Sequence, residues 1–309
     1  MPKHNVECKL IIDKAAVTLP MSDKQKDRVF NNLVEKKVYK KYNGRVYNDD
    51  SSYRYRNNYQ LDIHDRNSAD LSIYPFDPEH NFSRVEYNPT LLEAIGRTEL
   101  RRALIDILGI NVVKKIYYHA PITRLDITLD IFNMQRNLYI HCNRATHSEI
   151  YKVGRRIQSQ VIGSERSDCR ITMYDKNAER KSRGKANGAV SGNYQRIEIR
   201  LRNLRCTMHE LSQSSDLIDR FAAINFFEDG FLDDERFSRS FVDRVSKHGL
   251  NKALSKLSRN KRERYRRYLA DYQVFPISIS QSDFTDACRR AFGCMVHRTY
   301  SAQFLGRAA

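Results

Sequence analysis

The chain has 309 residues, room for one large domain or two ordinary ones at the usual ~100–200 residues each. Lysine and arginine outnumber aspartate and glutamate by 54 to 37, a formal charge of +17, which draws polyanions and makes nucleic acid the first partner to consider. No long apolar run or basic amphipathic helix with an apolar face speaks for a membrane, the start from Met1 to Asn5 lacks an apolar leader, and six scattered cysteines read as reduced thiols, so a cytoplasmic protein is expected.

In chain order, Cys8 to Leu19 reads as a strand rich in Ile, Leu and Val, and Ser22 with Gln25 forms a capping box ahead of an amphipathic helix. Between Tyr39 and Tyr87 short alternating segments separated by Asn43-Gly44 and Arg66-Asn67-Ser68 predict antiparallel sheet. Pro89 opens a helix whose Leu91, Leu92, Ile95, Leu100, Leu104 and Leu108 keep helical spacing, with Gly109 as its stop. Strands follow at Ile122 to Ile131, Cys169 to Asp175 and Gln195 to Arg202, with a helix expected around Ser148 to Gln158 and a mobile loop over Gly184 to Asn193. Helices are expected at Ser215 to Phe227, Asp234 to Lys247 with a stop at His248-Gly249, Leu250 to Leu257, Asn260 to Tyr272 and Asp283 to Phe292. The reading is α+β: an antiparallel-rich sheet domain over residues 1–203 and a helical, basic region over 204–309.

Side chains alternate across a strand, so Ile122 to Asp130 puts Arg124, Asp126, Thr128 and Asp130 on one face and Leu125, Ile127 and Leu129 on the other. The next strand sets Arg170, Thr172, Tyr174 and Lys176 together, and the third presents Arg196, Glu198, Arg200 and Arg202. Side by side, these faces join carboxylates, a phenol and cations, the parts that phosphoryl transfer needs. Lys176 is placed to favour the phenolate of Tyr174; Asp126, Asp130 and Glu198 are the acids that can hold a divalent ion. The plain reading of the same pattern is cross-strand ion pairing with Tyr174 as a packing residue. Cys288, Cys294 and His297 lack the spacing and the fourth ligand of a zinc site.

The run Ile162 to Glu179 holds a Gly163-Ser164-x-x-Ser167 turn, a short strand, then Tyr174, Lys176 and Glu179. It resembles the active-site motif of rolling-circle replication initiators, the plasmid replication-initiation-factor group and, more loosely, the gene II-type nickases of filamentous phages. Thr123 to Asp126 and Arg196 to Glu198 resemble that family's flanking blocks, Ser83 to Pro89 is similar to an upstream strand-to-helix junction, and the resemblance covers roughly residues 8 to 203. It implies a palm-like nicking domain in which Tyr174 attacks a phosphodiester, leaving a 5′-phosphotyrosine and a free 3′-hydroxyl. It further implies Lys176 as electrostatic partner, with Glu198 and Asp126 as metal-site acids beside Asp130 and Glu179. The histidine pair common in such enzymes is missing, since Asp62-Ile63-His64 supplies one histidine, so Mg²⁺ or Mn²⁺ is expected over Zn²⁺.

Origin DNA, double- and single-stranded, is the implied partner, with a host helicase and polymerase, in the cytoplasm of a bacterium carrying the plasmid or phage; a homodimer is one assembly open to it. Arg170 and Arg196, with Arg262, Arg264, Arg266 and Arg267 in the basic segment Lys252 to Arg267, are the candidate DNA contacts. Tyr118, Tyr151 and Tyr194 are the alternative tyrosines for a second transfer. Two rival readings share parts of this pattern. A tyrosine recombinase would use His141-x-x-Arg144 with Tyr174 but needs helical surroundings, and a non-catalytic repressor would use the basic segment alone.

Overall fold

The computed structural model describes residues 7–47, 55–64, 67–75, 82–134, 136–143, 145, 147–154, 156–184, 192–213, 217, 220–221, 223–274, 279–293 and 295. Along them run β1 (Glu7–Pro20), α1 (Asp23–Phe30), β2 (Arg45–Tyr47), β3 (Tyr55–His64), β4 (Asn67–Pro75), β5 (Phe82–Tyr87), α2 (Ala94–Leu108), α3 (Ile110–His119) and β6 (Pro121–Phe132). Then come β7 (Leu138–Cys142), β8 (Ser148–Val153), β9 (Arg156–Ile162), β10 (Cys169–Asp175), α4 (Lys176–Ser182), β11 (Tyr194–Thr207) and α5 (Met208–Gln213). The remainder holds β12 (Ile224–Glu228), α6 (Arg239–Ser255), α7 (Arg259–Ala270), β13 (Gln273–Val274) and α8 (Gln281–Phe292). The class is mixed, with extensive antiparallel sheet and helices packed on it.

The chain divides into two compact units built from interleaved segments. One gathers Met1–Ile11, Ile127–Arg200 and Ser215–Gln281; the other gathers Ile12–Asp126, Leu201–Ser214 and Ser282–Ala309. A single cut near residue 204, where the sequence pattern turns helical, falls inside β11, and it would also part β7 from its hydrogen-bonded partner β12. Strand pairing joins residues far apart in sequence, which a change of local pattern does not register.

In the unit containing residues 12–126 the strands run in the order β2-β3-β4-β5-β1-β6. The β3-β4-β5 meander is antiparallel, and β5 pairs antiparallel with β1. Val17, Leu61, Leu71 and Val85 are buried, as are Leu100, Leu104 and Ile107 of α2, so the apolar alternation of the strands meets the apolar stripe of the helix. At α1 the capping box expected from Ser22 and Gln25 is present, the Ser22 backbone N–H donating to Gln25 Oε1 at 2.9 Å. The helix expected from Pro89 begins instead at Ala94, because Asn88 Oδ1 accepts the Thr90 N–H at 3.0 Å and holds a turn there. Gly109, at φ +85°, ends α2 and starts α3, a helix the sequence reading did not separate. Phe284, Ala287 and Phe292 of α8 are buried, and the Tyr87 hydroxyl donates to the Ala291 carbonyl at 2.8 Å.

In the unit containing residues 127–200 the order is β6-β11-β10-β9-β8, with a second sheet β13-β12-β7. The helix expected at Ser148 to Gln158 is the antiparallel hairpin β8-β9, turned at Gly154 with φ +61°. The residues that decide this are distant: Gln160, fully buried, accepts from the Ile140 N–H at 2.8 Å and donates to the Ile140 carbonyl at 2.8 Å, tying β9 to β7. Likewise Ile224 to Phe227, read as the end of a helix, is strand β12 because β7 and β13 flank it. Most of the loop expected at Gly184 to Asn193 lies outside the described residues.

An aromatic core supports the second sheet. Phe231 meets Tyr139 edge-on at 5.2 Å, Phe237 stacks on Phe241 at 5.5 Å, and the Tyr265 hydroxyl accepts the Ser238 N–H at 2.9 Å at the start of α6. Gly249 breaks α6 with φ +78°, as its position after His248 suggested. The freed Leu250 N–H donates to the Tyr139 hydroxyl at 3.0 Å.

Candidate active site

The expected alternation is present in β10 and β11. Ile171 and Met173 are buried while Thr172 and Tyr174 are half-buried, and Ile197 and Ile199 are buried while Glu198 and Arg200 are half-buried. With β10 beside β11, Tyr174 and Glu198 meet: the Tyr174 hydroxyl donates to Glu198 Oε1 at 2.6 Å. Directly across β9, Tyr174 faces Ser159.

The chain turns from strand to helix immediately after Tyr174. Asp175 accepts the Ala178 N–H at 3.0 Å and caps α4, whose first residue is Lys176. Lys176 Nζ lies 3.5 Å from the Tyr174 hydroxyl and 2.9 Å from Glu179 Oε2, and Arg183 pairs with the same Glu179 at 2.7 Å. The motif Tyr-x-Lys-x-x-Glu is thereby explained locally, since helical spacing sets Glu179 beside Lys176.

Burial first, and the Glu198 carboxylate second, push the Tyr174 phenol well above its ordinary range. The resting tyrosine is therefore neutral, and Lys176, whose charge Glu179 answers, does not make it a phenolate. Glu198 is placed to receive its proton.

The other acids are engaged elsewhere. Asp130 takes both arms of Arg196, at 2.6 and 2.9 Å, in a buried pair, and Arg196 also donates to the Tyr194 hydroxyl at 3.2 Å. In the other unit Asp126 takes both arms of Arg124, at 3.0 and 2.7 Å, and Arg124 reaches Glu86 at 3.2 Å. Glu86 also gathers Lys14 and Arg84. Among the described residues no group of three His, Cys, Asp or Glu side chains is close enough to hold a metal ion. As arranged, Asp126 and Asp130 are guanidinium partners, so this donor set does not fit a Mg²⁺ or Mn²⁺ ion. The strand pattern foretold the polar faces but not which cation each acid would take.

Of the arginines singled out from sequence, Arg196 is buried with Asp130, and Arg170 is a partly buried neighbour of Glu165 at 3.7 Å. Arg262 donates to the carbonyls of Leu254, Ser255 and Leu257, closing the end of α6. Arg264, Arg266 and Arg267 are exposed on α7. Tyr194 is buried, Tyr151 is exposed on β8, and Tyr118 stacks edge-on against Tyr117 at 4.7 Å. Arg144, Cys294 and His297 lie outside the described residues. The described cysteines are free, and no described helix is long and apolar enough to cross a membrane.

No protein-family model matches the chain, and no curated protein matches it. Among solved structures, the chain is similar to the rolling circle replication initiator protein from Geobacillus stearothermophilus. The identity is 18% and the TM-score 0.36, over 67% of this chain and 78% of that one. A likeness that shallow carries no weight for function.

Proposed function

We propose that the protein nicks one DNA strand to initiate rolling-circle replication, with Tyr174 as nucleophile. The observation that supports this most is the 2.6 Å hydrogen bond from the Tyr174 hydroxyl to Glu198, in a sequence run that resembles the initiator motif. A neutral phenol is a poor nucleophile, and a carboxylate already in hydrogen-bond contact is the group that removes its proton as attack begins. In this reading the Tyr174 oxygen bonds to phosphorus, its proton passes to Glu198, the bond to the 3′ oxygen breaks, and that oxygen takes a proton from solvent. The products are a 5′-phosphotyrosine and a 3′-hydroxyl primer.

Lys176 stands 3.5 Å from the attacking oxygen, where its charge offsets the negative charge that gathers there, and Glu179 keeps it in place. Origin DNA is the substrate in this proposal, held by the exposed arginines of α7, and a host polymerase extends the primer behind a helicase. The Mg²⁺ or Mn²⁺ dependence that the family resemblance implies would require Asp126 or Asp130 to leave its arginine, and no step above is routed through a metal.

The β setting of Tyr174, on β10 and paired with β9, disfavours the recombinase reading. The test is incubation of the full chain with supercoiled origin plasmid, with Mg²⁺ or with EDTA, followed by mass mapping of the attached residue. Relaxed plasmid with Tyr174 carrying the strand is expected. Plasmid that stays supercoiled while bound would favour the repressor, and an adduct on another residue would remove Tyr174.

A further inference from the structure

One cavity lies apart from Tyr174. It has a volume of about 190 Å³ and sits in the unit containing residues 127–200, against one face of the β7-β12-β13 sheet and under α7. The register explains its lining. Asn225 is opposite His141, and Phe227 is opposite Gln273, so these four side chains share one face. Asn143 completes the polar side, leucines of α6 and α7 form the apolar wall, and the exposed Arg266 stands at the edge.

These parts have one chemistry in common. Three amides offer both donors and acceptors, which suits the edge of a heterocycle. The Phe227 and His141 rings, 6.5 Å apart, offer faces against which a flat ring can lie. Burial lowers the affinity of His141 for a proton, so its imidazole stays neutral and adds another acceptor or donor. The size is selective as well. A cavity near ~150 Å³ admits a benzene ring and drug-sized sites begin near ~300 Å³, so about 190 Å³ takes one heteroaromatic ring system and little more. The arginine at the edge meets the charge such a ring would carry if it were joined to a phosphate.

We propose that this cavity binds a single unstacked nucleobase, with Arg266 on the adjoining phosphate. The base belongs either to a DNA strand or to a free nucleotide; given the charge of +17, a strand is the source we favour. The inference rests on the nucleic-acid part of the proposed function and is independent of Tyr174 chemistry.

The test uses the full chain with the Tyr174→Phe change, so that no covalent product forms. A short single-stranded oligonucleotide with one 5-iodouracil is bound, photocrosslinked and mapped by mass spectrometry. Binding is also compared with that of the same oligonucleotide made abasic at that position. A crosslink within residues 141–143, 225–227 or 266–273, which line the cavity, is expected, together with roughly tenfold weaker binding of the abasic strand. Asn225→Ala, a half-buried position, should remove that difference while its unfolding midpoint stays near that of the parent. Mononucleotide that blocks the crosslink at micromolar concentration would assign the same base chemistry to a free nucleotide. A crosslink only elsewhere, or a full abasic penalty retained in Asn225→Ala, would overturn the proposal. A crosslink in the cavity, together with a chain that retains Tyr174 and fails to nick origin plasmid, would instead overturn the Tyr174 reading alone.

Discussion

The Tyr174 hydroxyl donates a hydrogen bond to Glu198 across two neighbouring strands at 2.6 Å, so the proposed nucleophile and the proposed acceptor of its proton are held by the sheet rather than by a loop. Glu198→Gln keeps the shape and removes the basicity. Cleavage of a single-stranded origin oligonucleotide should fall by about 10²–10⁴-fold at neutral pH, the usual range for general-base loss. The residual rate should climb with pH as solvent hydroxide takes over. A variant within threefold of the parent at neutral pH would show that Glu198 accepts no proton.

Asp130 and Arg196 form the most enclosed ion pair near the site, with both arms of the guanidinium used. Asp130→Asn leaves a buried cation without its counter-charge and should cost about 3–5 kcal/mol in urea unfolding. Replacing both residues by apolar ones of similar volume should recover much of that loss. Equal loss in the single and double variants would argue that the pair matters through packing alone.

Asp70 lies opposite Glu86 in the β4-β5 ladder, and its buried Oδ1 accepts no hydrogen bond. Burial first, and the Glu86 carboxylate second, raise its pKa above 3.8. A raised folded-state value means that the protonated form is favoured, so its contribution is complete below the unfolded value and is lost as pH rises through the folded one. Asp70→Asn should therefore raise the midpoint of thermal unfolding at pH 7, by about 2–4 °C if roughly 1 kcal/mol is recovered. Near pH 3 the gain should vanish. Scans at the two pH values check the sign.

Arg264 and Arg267 are exposed on α7, whereas Arg262 closes the end of α6. Neutralising Arg264 and Arg267 together should flatten the log–log salt dependence of duplex binding by up to ~0.9 per lost phosphate contact. Arg262→Ala should instead lower stability, because the carbonyls of Leu254, Ser255 and Leu257 each lose one donor. An unchanged slope in the double variant would place the phosphate contacts elsewhere.

Strands whose two faces differ in polarity were readable from sequence: β10 matches its expected span from Cys169 to Asp175, and β1 and β6 come within a residue or two. The site was readable to the same depth, since alternation put Tyr174 and Glu198 on polar faces. Their contact needed β10 to lie beside β11, a non-local fact. Partner choice among charges was not readable either, because Asp126 and Asp130 have arginines on their own or a neighbouring strand that compete with any other role. The β8-β9 hairpin was missed for a related reason. Its pattern carries a glycine at the turn, but the side chain that fixes it, Gln160, finds its partner in β7, twenty residues back.

The chain passes between the two compact units five times, and the last segment, Ser282–Ala309, returns to the unit that began at Ile12. Neither unit is complete until late in the sequence: one needs α6 and α7, the other α8 with its buried Phe284 and Phe292. Folding of both is thus deferred until α8 has been made, with long-range contacts closing late and slowly. A nascent chain stalled before Gln281 would leave the Tyr87 hydroxyl without the Ala291 carbonyl that accepts its hydrogen bond, so a chain cut there becomes a species for chaperones and proteases rather than a smaller folded protein.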